Sequence, residues 1–142
     1  SRTACIAALD RLIPITTGAT HRPPDLSDAM AFATLSWTAH ALSDTPTAHR
    51  AAGQAEERLS VLSRLERIRV GLVLARGSLA GRDTEGVQAR LRGLEDALAA
   101  WPLLDWQARC LASASSGVPG PEPGALVEGL SPEDVKGLVG WS

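Results

Sequence analysis

One proline-free stretch of helix-favouring sequence constrains the fold of this chain more than any other feature. It begins at Pro46, a residue that suits the first turn of a helix, and continues to about Ala80. Gly81 follows, and glycine readily takes the left-handed conformation that ends many helices. A helix over 46–80 would extend about 52 Å at 1.5 Å per residue. We therefore expect an all-α fold, an elongated helical bundle built on one long central helix.

The apolar positions of this predicted central helix fall into two frames. Each frame steps by four and three residues, as one face of an α-helix does, but the frames are displaced by one residue. The first frame holds Ala48, Ala52, Ala55, Leu59 and Leu62, and the second holds Val61, Leu65, Ile68, Leu72, Ala75 and Leu79. The change of face near Ser60 and Ser63 predicts a different packing partner for each half of the helix.

Two further helices are predicted to supply those partners in antiparallel fashion. A helix capped by Asp25 or Ser27 and ending near Ser43 would cover the alanine-rich first half. The turn 44–46 follows it, with Thr45 as the N-cap of the central helix. After the turn 81–83, a helix over 84–101 would cover the leucine-rich second half.

Prolines set the remaining boundaries. A short first helix over 3–13 is predicted to stop at Pro14, and its apolar face would hold Ile6, Leu9, Leu12 and Ile13. Pro102 interrupts the pattern after Trp101, and a helix over 103–114 would return along the central helix.

A seam of apolar residues is predicted to hold the bundle together and to serve in self-association. Its members are Leu59, Leu62, Leu65, Ile68, Leu72, Leu79, Val87, Leu91, Leu94, Leu98 and Trp101. The short turns 44–46 and 81–83 favour domain swapping, because opening either turn would exchange a helix between chains. We expect a homodimer, or a monomer that exchanges with a dimer.

The chain divides into three parts. Residues 1–114 form the predicted bundle, and residues 115–125 form a linker rich in glycine and proline. Residues 126–142 would form a short capped helix or the start of a further module. The absence of an initial Met leads us to expect a segment of a longer protein.

The residues that usually carry chemistry form no recognisable site. The sequence contains no phosphate-binding glycine loop, zinc-protease, nucleophile-elbow or calcium-loop motif. His40 and Asp44 have the spacing of a ligand pair, but a charged helix end explains them more simply than a metal. Cys5 and Cys110 are predicted to be free thiols. We expect no enzyme, no metal and no cofactor.

Charge and hydropathy exclude two further classes of partner. The formal net charge is −2, and the arginines at 58, 64, 67, 69 and 76 are spread around the central helix without interleaved aromatic residues. This pattern argues against nucleic acid. The longest apolar run has six residues, far short of a membrane span, so we expect no direct membrane insertion.

Two functions of different classes fit this sequence. The first is a structural and interaction segment that spaces and presents binding domains and takes protein partners. The second is a compact regulatory or sensor domain that binds an apolar ligand between helices, with Trp37 and Met30 as pocket walls. Trp37 and Trp101 lie on apolar stripes and Trp106 is also expected to pack, whereas Trp141 is left undecided.

The composition and helix style resemble one viral family. The chain has 23 Ala, 13 Gly and 13 Arg against one Lys, which is typical of GC-rich coding. The long helical segments 55–79 and 87–101 and the Gly/Pro linker 117–124 resemble the central helical region of the alphaherpesvirus large tegument protein. The resemblance implies a stalk between capsid, tegument and membrane-side partners, within the virion tegument and the host cytoplasm and nucleus. That family's cysteine deubiquitinase lies in a separate N-terminal domain, and nothing here matches its Cys, His and Asp set. A GC-rich bacterium has the same composition, and the protein would then lie in the bacterial cytoplasm.

Overall fold

A computed structural model describes residues 1–17 and 23–117, and it confirms the predicted all-α class. No strand occurs among these residues. The seven helices are α1 (Arg2–Thr17), α2 (Leu26–Ala41), α3 (Thr45–Glu57), α4 (Arg64–Ala80), α5 (Thr84–Arg92), α6 (Glu95–Leu98) and α7 (Pro102–Ser116). Most of the predicted linker 115–125 and all of the predicted segment 126–142 lie outside the described residues, as does Trp141.

The prediction of one continuous helix over 46–80 is wrong. Helix α3 ends at Glu57, a 3-10 turn covers Leu59–Val61, and α4 begins at Arg64. At the end of α3, the guanidinium of Arg58 donates to the carbonyl oxygen of Gln54 at 2.7 Å, which satisfies an acceptor that the helix leaves open. At the start of α4, Ser63 and Glu66 form a capping box, with each side chain accepting the other residue's backbone N–H. Local hydrogen bonds thus stabilise two helix ends where the sequence predicts an unbroken helix.

Because the chain breaks between α3 and α4, α4 packs against different helices on two of its faces. Helix α2 packs against both α3 and α4, while α5 and α7 cover the other side of α4. A first core lies among α1, α2, α3 and α4; its buried residues are Leu9, Ala29, Phe32, Ala33, Ala51, Ala52, Ala55, Leu62, Val70 and Leu74. A second core lies among α4 to α7; its buried residues are Ile68, Leu72, Ala75, Val87, Leu91, Leu98, Ala108 and Leu111. Helix α4 therefore contributes to both cores.

Most residues of the predicted seam lie in the two cores of the folded chain. Leu59 and Leu62 belong to the first core. Eight others belong to the second core, namely Ile68, Leu72, Leu79, Val87, Leu91, Leu94, Leu98 and Trp101. Leu65 is half-buried and lies in neither core. Self-association through this seam would require helices to be exchanged between chains, and it stays a prediction.

Two predicted helix boundaries differ from the structure for local reasons. Helix α1 continues through Pro14 to Thr17, and the Thr16 and Thr17 hydroxyls each donate to backbone carbonyls of the turn before them at 2.7 Å. The predicted helix over 84–101 breaks at Gly93 into α5 and α6, because glycine has a low helix propensity. Asp25 caps α2 as predicted.

The α2–α3 and α4–α5 turns have the same backbone geometry. Asp44 and Asp83 cap the following helices, and their N–H groups donate to the carbonyls of Ala39 and Ser78, both at 2.8 Å. The N-cap of α3 is therefore Asp44, and the prediction of Thr45 is wrong. The left-handed residues are Ser43 and Arg82, each with φ of 59°, whereas Gly81 has φ of −81°. The two helical hairpins thus repeat one turn.

Gly81 is needed for a close approach rather than for the left-handed conformation. A Cβ atom at this position would clash with Nδ1 of His40. His40 is buried, its Nδ1 has no hydrogen-bond partner among the described residues, and its ring meets that of His49 edge-on at 5.7 Å. Burial lowers the pKa of His40, as do His49 and Arg90, while Asp83 acts in the opposite direction.

Acidification is expected to destabilise the fold through His40. Its ordinary pKa is 6.5, and because the folded value is lower, the unfolded chain binds more protons below that pH. Stability is therefore present above pH 6.5 and is lost as the pH falls towards the folded pKa. Thermal unfolding at pH 7.5 and 5.5 should show a smaller drop in Tm for His40→Gln than for the wild type. His49→Gln, on an exposed position, should keep most of the drop, since burial is the largest cause of the shift; equal drops in all three proteins would contradict this assignment.

Candidate binding groove

An open groove runs along the outer face of α2. Its volume is about 630 Å³ and it is largely open to solvent. Helix α2 supplies seven of the ten lining residues and forms the floor, while α1 and α4 form the walls. The lining residues are Ala8, Leu12, Leu26, Ser27, Met30, Ala31, Thr34, Leu35, Thr38 and Arg69. Six of them are apolar, three carry hydroxyl groups and one is charged.

The core beneath the groove fixes its floor. Phe32 and Ala33, which alternate with the lining positions of α2, are fully buried in the first core. Ser36 is also buried, and its hydroxyl donates to the carbonyl oxygen of Ala48 at 2.8 Å, which ties α2 to α3. One face of α2 is therefore buried in the first core and the opposite face lines the groove. Leu26, Met30 and Leu35 lie at the edges and contribute to both.

The α1 wall is apolar and extends beyond the groove. Ala8 and Leu12 line it, and Ile15 occupies the next position of the same helical stripe, since the steps are four and three residues. Ile15 is 63% exposed. The sequence instead predicts a face of Ile6, Leu9, Leu12 and Ile13; of these, Leu9 is buried and Ile6 is 40% exposed. Helix α1 therefore divides its apolar residues between the core and the surface.

The α4 wall is cationic. It reaches the groove through Arg69, an exposed side chain that makes no hydrogen bond or ion pair within the described part of the chain. The carboxylate of Glu66 lies one turn before it on α4, and the pKa of Glu66 is lowered mainly by its bonds to the backbone and hydroxyl of Ser63 and to a lesser degree by Arg69. Because Glu66 is engaged in the cap of α4, Arg69 gives this wall a positive charge.

Trp37, predicted as a pocket wall, and Trp106, predicted to pack within the bundle, do not line the groove. Met30 lines the groove, but Trp37 does not; its ring lies under the guanidinium of Arg76, 4.2 Å from the centroid. Burial lowers the pKa of Arg76 to about 10. Trp106 is buried against the second-core side of the bundle with its indole N–H unpaired among the described residues. Of the predicted pocket walls, only Met30 is in place.

Potential catalytic and metal-binding groups are scattered. Within residues 1–17 and 23–117, no group of three or more His, Cys, Asp and Glu side chains is placed to hold a metal ion. His40 lies in the last turn of α2, whereas Asp44 caps α3. Cys5 and Cys110 are free, and burial raises the pKa of the Cys110 thiol. The groove offers a binding surface on the described part of the chain.

The helices of the described residues are all too short or too polar to cross a lipid bilayer.

Comparisons with known proteins give no relative from which a function could be carried over. No protein-family model matches the chain. Neither the curated proteins nor the solved structures contain a significant match to it. The resemblance to the alphaherpesvirus large tegument protein stays a prediction, and the function proposed next depends on this chain's own residues.

Proposed function

We propose that this chain is a non-enzymatic protein-interaction domain whose groove holds an apolar helical segment of a partner protein. The observation that carries the proposal is the open groove over α2, with six apolar lining residues and the exposed Ile15 beside it. The six apolar lining residues are half-buried, and four of them also pack against the first core, namely Leu12, Leu26, Met30 and Leu35. Apolar surface framed by polar groups is typical of protein-binding sites. An amphipathic helix that lies in an apolar groove is a common form of peptide recognition.

The dimensions of the groove favour a helix over a small molecule. Its floor extends from Leu26 to Thr38, about 18 Å along α2 at 1.5 Å per residue. A helix of about 12 residues matches that length. Small-molecule pockets bury most of their ligand's surface, whereas this groove is open to solvent.

The stacking of the hairpins also supports an interaction role. Arg76 lies over Trp37, and Gly77 packs against Trp37 and His40. At the other end of the two helices, the charge of Asp25 acts on Glu66. Residues late in α4 thus contact residues late in α2, so these two helices run parallel. They belong to consecutive hairpins, α2–α3 and α4–α5. Stacked helical hairpins present extended surfaces that many proteins use for binding partners.

A spacer role within a longer protein is compatible with this proposal. The predicted stalk relied on one continuous helix, and the structure has two shorter helices, α3 and α4, in its place. The proposal therefore depends on the groove and not on the length of a central helix. Viral partners from the tegument, the capsid or the membrane side would apply if the family resemblance holds.

A displayed library of helical peptides tests the proposal. Peptides selected on the wild-type protein should bind with micromolar Kd and should lose at least tenfold in affinity on Thr34→Arg. The long side chain blocks contact between the groove floor and the peptide's apolar stripe, an effect larger than the roughly fivefold gain that one added positive charge offers an acidic peptide. Thr34 is exposed and its side chain lies outside both cores, so the variant is expected to fold. Gln88→Arg, with the same added charge on an exposed position of α5, is the matched control and should bind as the wild type does.

Two outcomes would reject the proposal. Peptides that bind Thr34→Arg as tightly as the wild type use another surface. If no peptide is selected and an apolar dye such as anilinonaphthalene sulfonate binds the wild type but not Thr34→Arg, the groove serves a small apolar ligand. The sensor hypothesis, which Met30 in the groove favours, would then replace the interaction hypothesis.

A further inference from the structure

We infer that the partner segment is an acidic amphipathic helix of about three turns, which pairs a carboxylate with Arg69 while its apolar face packs on the α1 wall and the α2 floor. This inference rests on the proposed function and specifies the chemistry of the partner. It follows from the unequal walls of the groove, one apolar and one cationic.

Arg69 is the single charged side chain among the ten that line the groove. The other polar groups there are the hydroxyls of Ser27, Thr34 and Thr38, which are neutral. A helix whose groove-facing edge carries Lys or Arg would therefore meet a like charge with no acid among the lining residues, whereas Asp or Glu would meet an opposite charge. Complementary charge of this kind selects among partners that share the same apolar pattern.

Glu66, whose pKa Arg69 helps to lower, and Asp25, whose charge acts on Glu66, both take part in helix caps. The carboxylate of Glu66 accepts the Ser63 N–H at 2.9 Å. The carboxylate of Asp25 accepts the Asp28 N–H at 3.2 Å at the start of α2. Moving either carboxylate towards Arg69 would open a cap and destabilise the start of its helix. An incoming carboxylate can pair with Arg69 without that loss.

The parallel arrangement of α2 and α4 places the charge along the groove. Gly77 packs against Trp37 and His40, so Arg69, two turns earlier on α4, lies beside the first half of the α2 floor. Glu66 lies one turn before Arg69 on α4, and the charge of Asp25, at the start of α2, acts on it. The partner's acidic residue should therefore lie towards the Leu26 end of the groove, with the rest of its contact surface apolar.

A charge-swap cycle tests this inference. Two 14-residue helical peptides carry the same apolar stripe, taken from the sequences selected on the wild type, and differ in one edge residue, Glu or Lys. Fluorescence anisotropy gives the Kd of each peptide for the wild type and for Arg69→Glu. We expect Arg69→Glu to weaken binding of the Glu peptide by roughly fivefold and to strengthen binding of the Lys peptide by a similar factor. Arg67→Glu, an exposed position of α4 outside the groove, is the matched control and should leave both values unchanged.

The remaining outcomes separate the two proposals. If Thr34→Arg abolishes binding but Arg69→Glu changes neither Kd, the acidic pairing is overturned and the groove function stands. If neither variant affects binding, both proposals fall.

Two other occupants would also overturn the inference. A wild-type dimer that Thr34→Arg converts to a monomer, measured by light scattering, would identify a second copy as the occupant. Faster deuterium exchange in residues 118–142 of Thr34→Arg, without a change of mass, would identify the chain's own C-terminal segment.

Discussion

Replacing Phe32 by alanine is expected to lower the free energy of unfolding by about 3–5 kcal/mol. Phe32 is fully buried in the first core, where α1, α2, α3 and α4 meet. Its ring also lies under the guanidinium of Arg58, 4.4 Å from the centroid. Removing the ring leaves a cavity and takes an apolar and cation–π partner from a buried cation. Urea unfolding followed by tryptophan fluorescence measures the change.

Phe32→Leu provides the control for this experiment. Leucine keeps much of the apolar volume but lacks the ring, so the expected loss is about 1–1.5 kcal/mol. A loss below about 2 kcal/mol for Phe32→Ala would mean that the side chain is not enclosed by the first core. Loss of the same size in both variants would indicate that the ring's contact with Arg58, rather than its volume, dominates.

The second large effect is expected at Gly77 of α4, which packs against the backbone of α2. A Cβ atom at Gly77 would lie 3.2 Å from the Cα and 3.3 Å from the N of Trp37, which are backbone atoms of α2. Backbone packed on both sides cannot move aside as a side chain can. Gly77→Leu should therefore push the two helices apart and lower the free energy of unfolding by about 3 kcal/mol, despite leucine's better helix propensity.

Gly53→Ala is the matched control, and its effect should have the opposite sign. Gly53 lies inside α3, and a Cβ atom there would have no neighbour within 4 Å. Without a clash, the gain in helix propensity should raise stability by about 0.5–1 kcal/mol. If Gly77→Leu is as stable as the wild type in urea while Gly53→Ala gains stability, the close contact of α2 and α4 is not real.

The break between α3 and α4 was encoded in the sequence and could have been recognised. Ser63 and Glu66 stand at the spacing of a capping box, and the two apolar frames meet at the same place. The prediction took the change of frame as a turn of the packing face within one helix. Capping hydrogen bonds are worth about 1 kcal/mol each and offset part of the cost of interrupting the helix, so local sequence alone does not decide between one helix and two. Tertiary contacts decide it: Leu62 is buried in the first core, and Arg58 donates to Thr16 of α1 at 2.7 Å.

The groove could not be found from the sequence, although each of its stripes was visible there. Met30 was predicted as a pocket wall beside Trp37, and Leu12 lay on the predicted face of the first helix. A periodic apolar stripe predicts that a helix has a packing face, but it does not say whether the chain itself supplies the neighbour. Ile15 and Leu9 belong to the same short helix, yet one is exposed and the other is fully buried.

The sequence by itself determined the features that depend on neighbours along the chain. The all-α class follows from helical periodicity, the cap of α2 follows from Asp25, and the start of α7 follows from Pro102, because each depends on interactions within a few residues. Only the tertiary structure decided that α4 contributes to two cores, that α2 and α4 run parallel in close contact at Gly77, and that one face of α2 lines an open groove beside Arg69 among residues 1–17 and 23–117. These features depend on contacts between residues distant in sequence, and a linear pattern does not record which of several equally apolar stripes will meet.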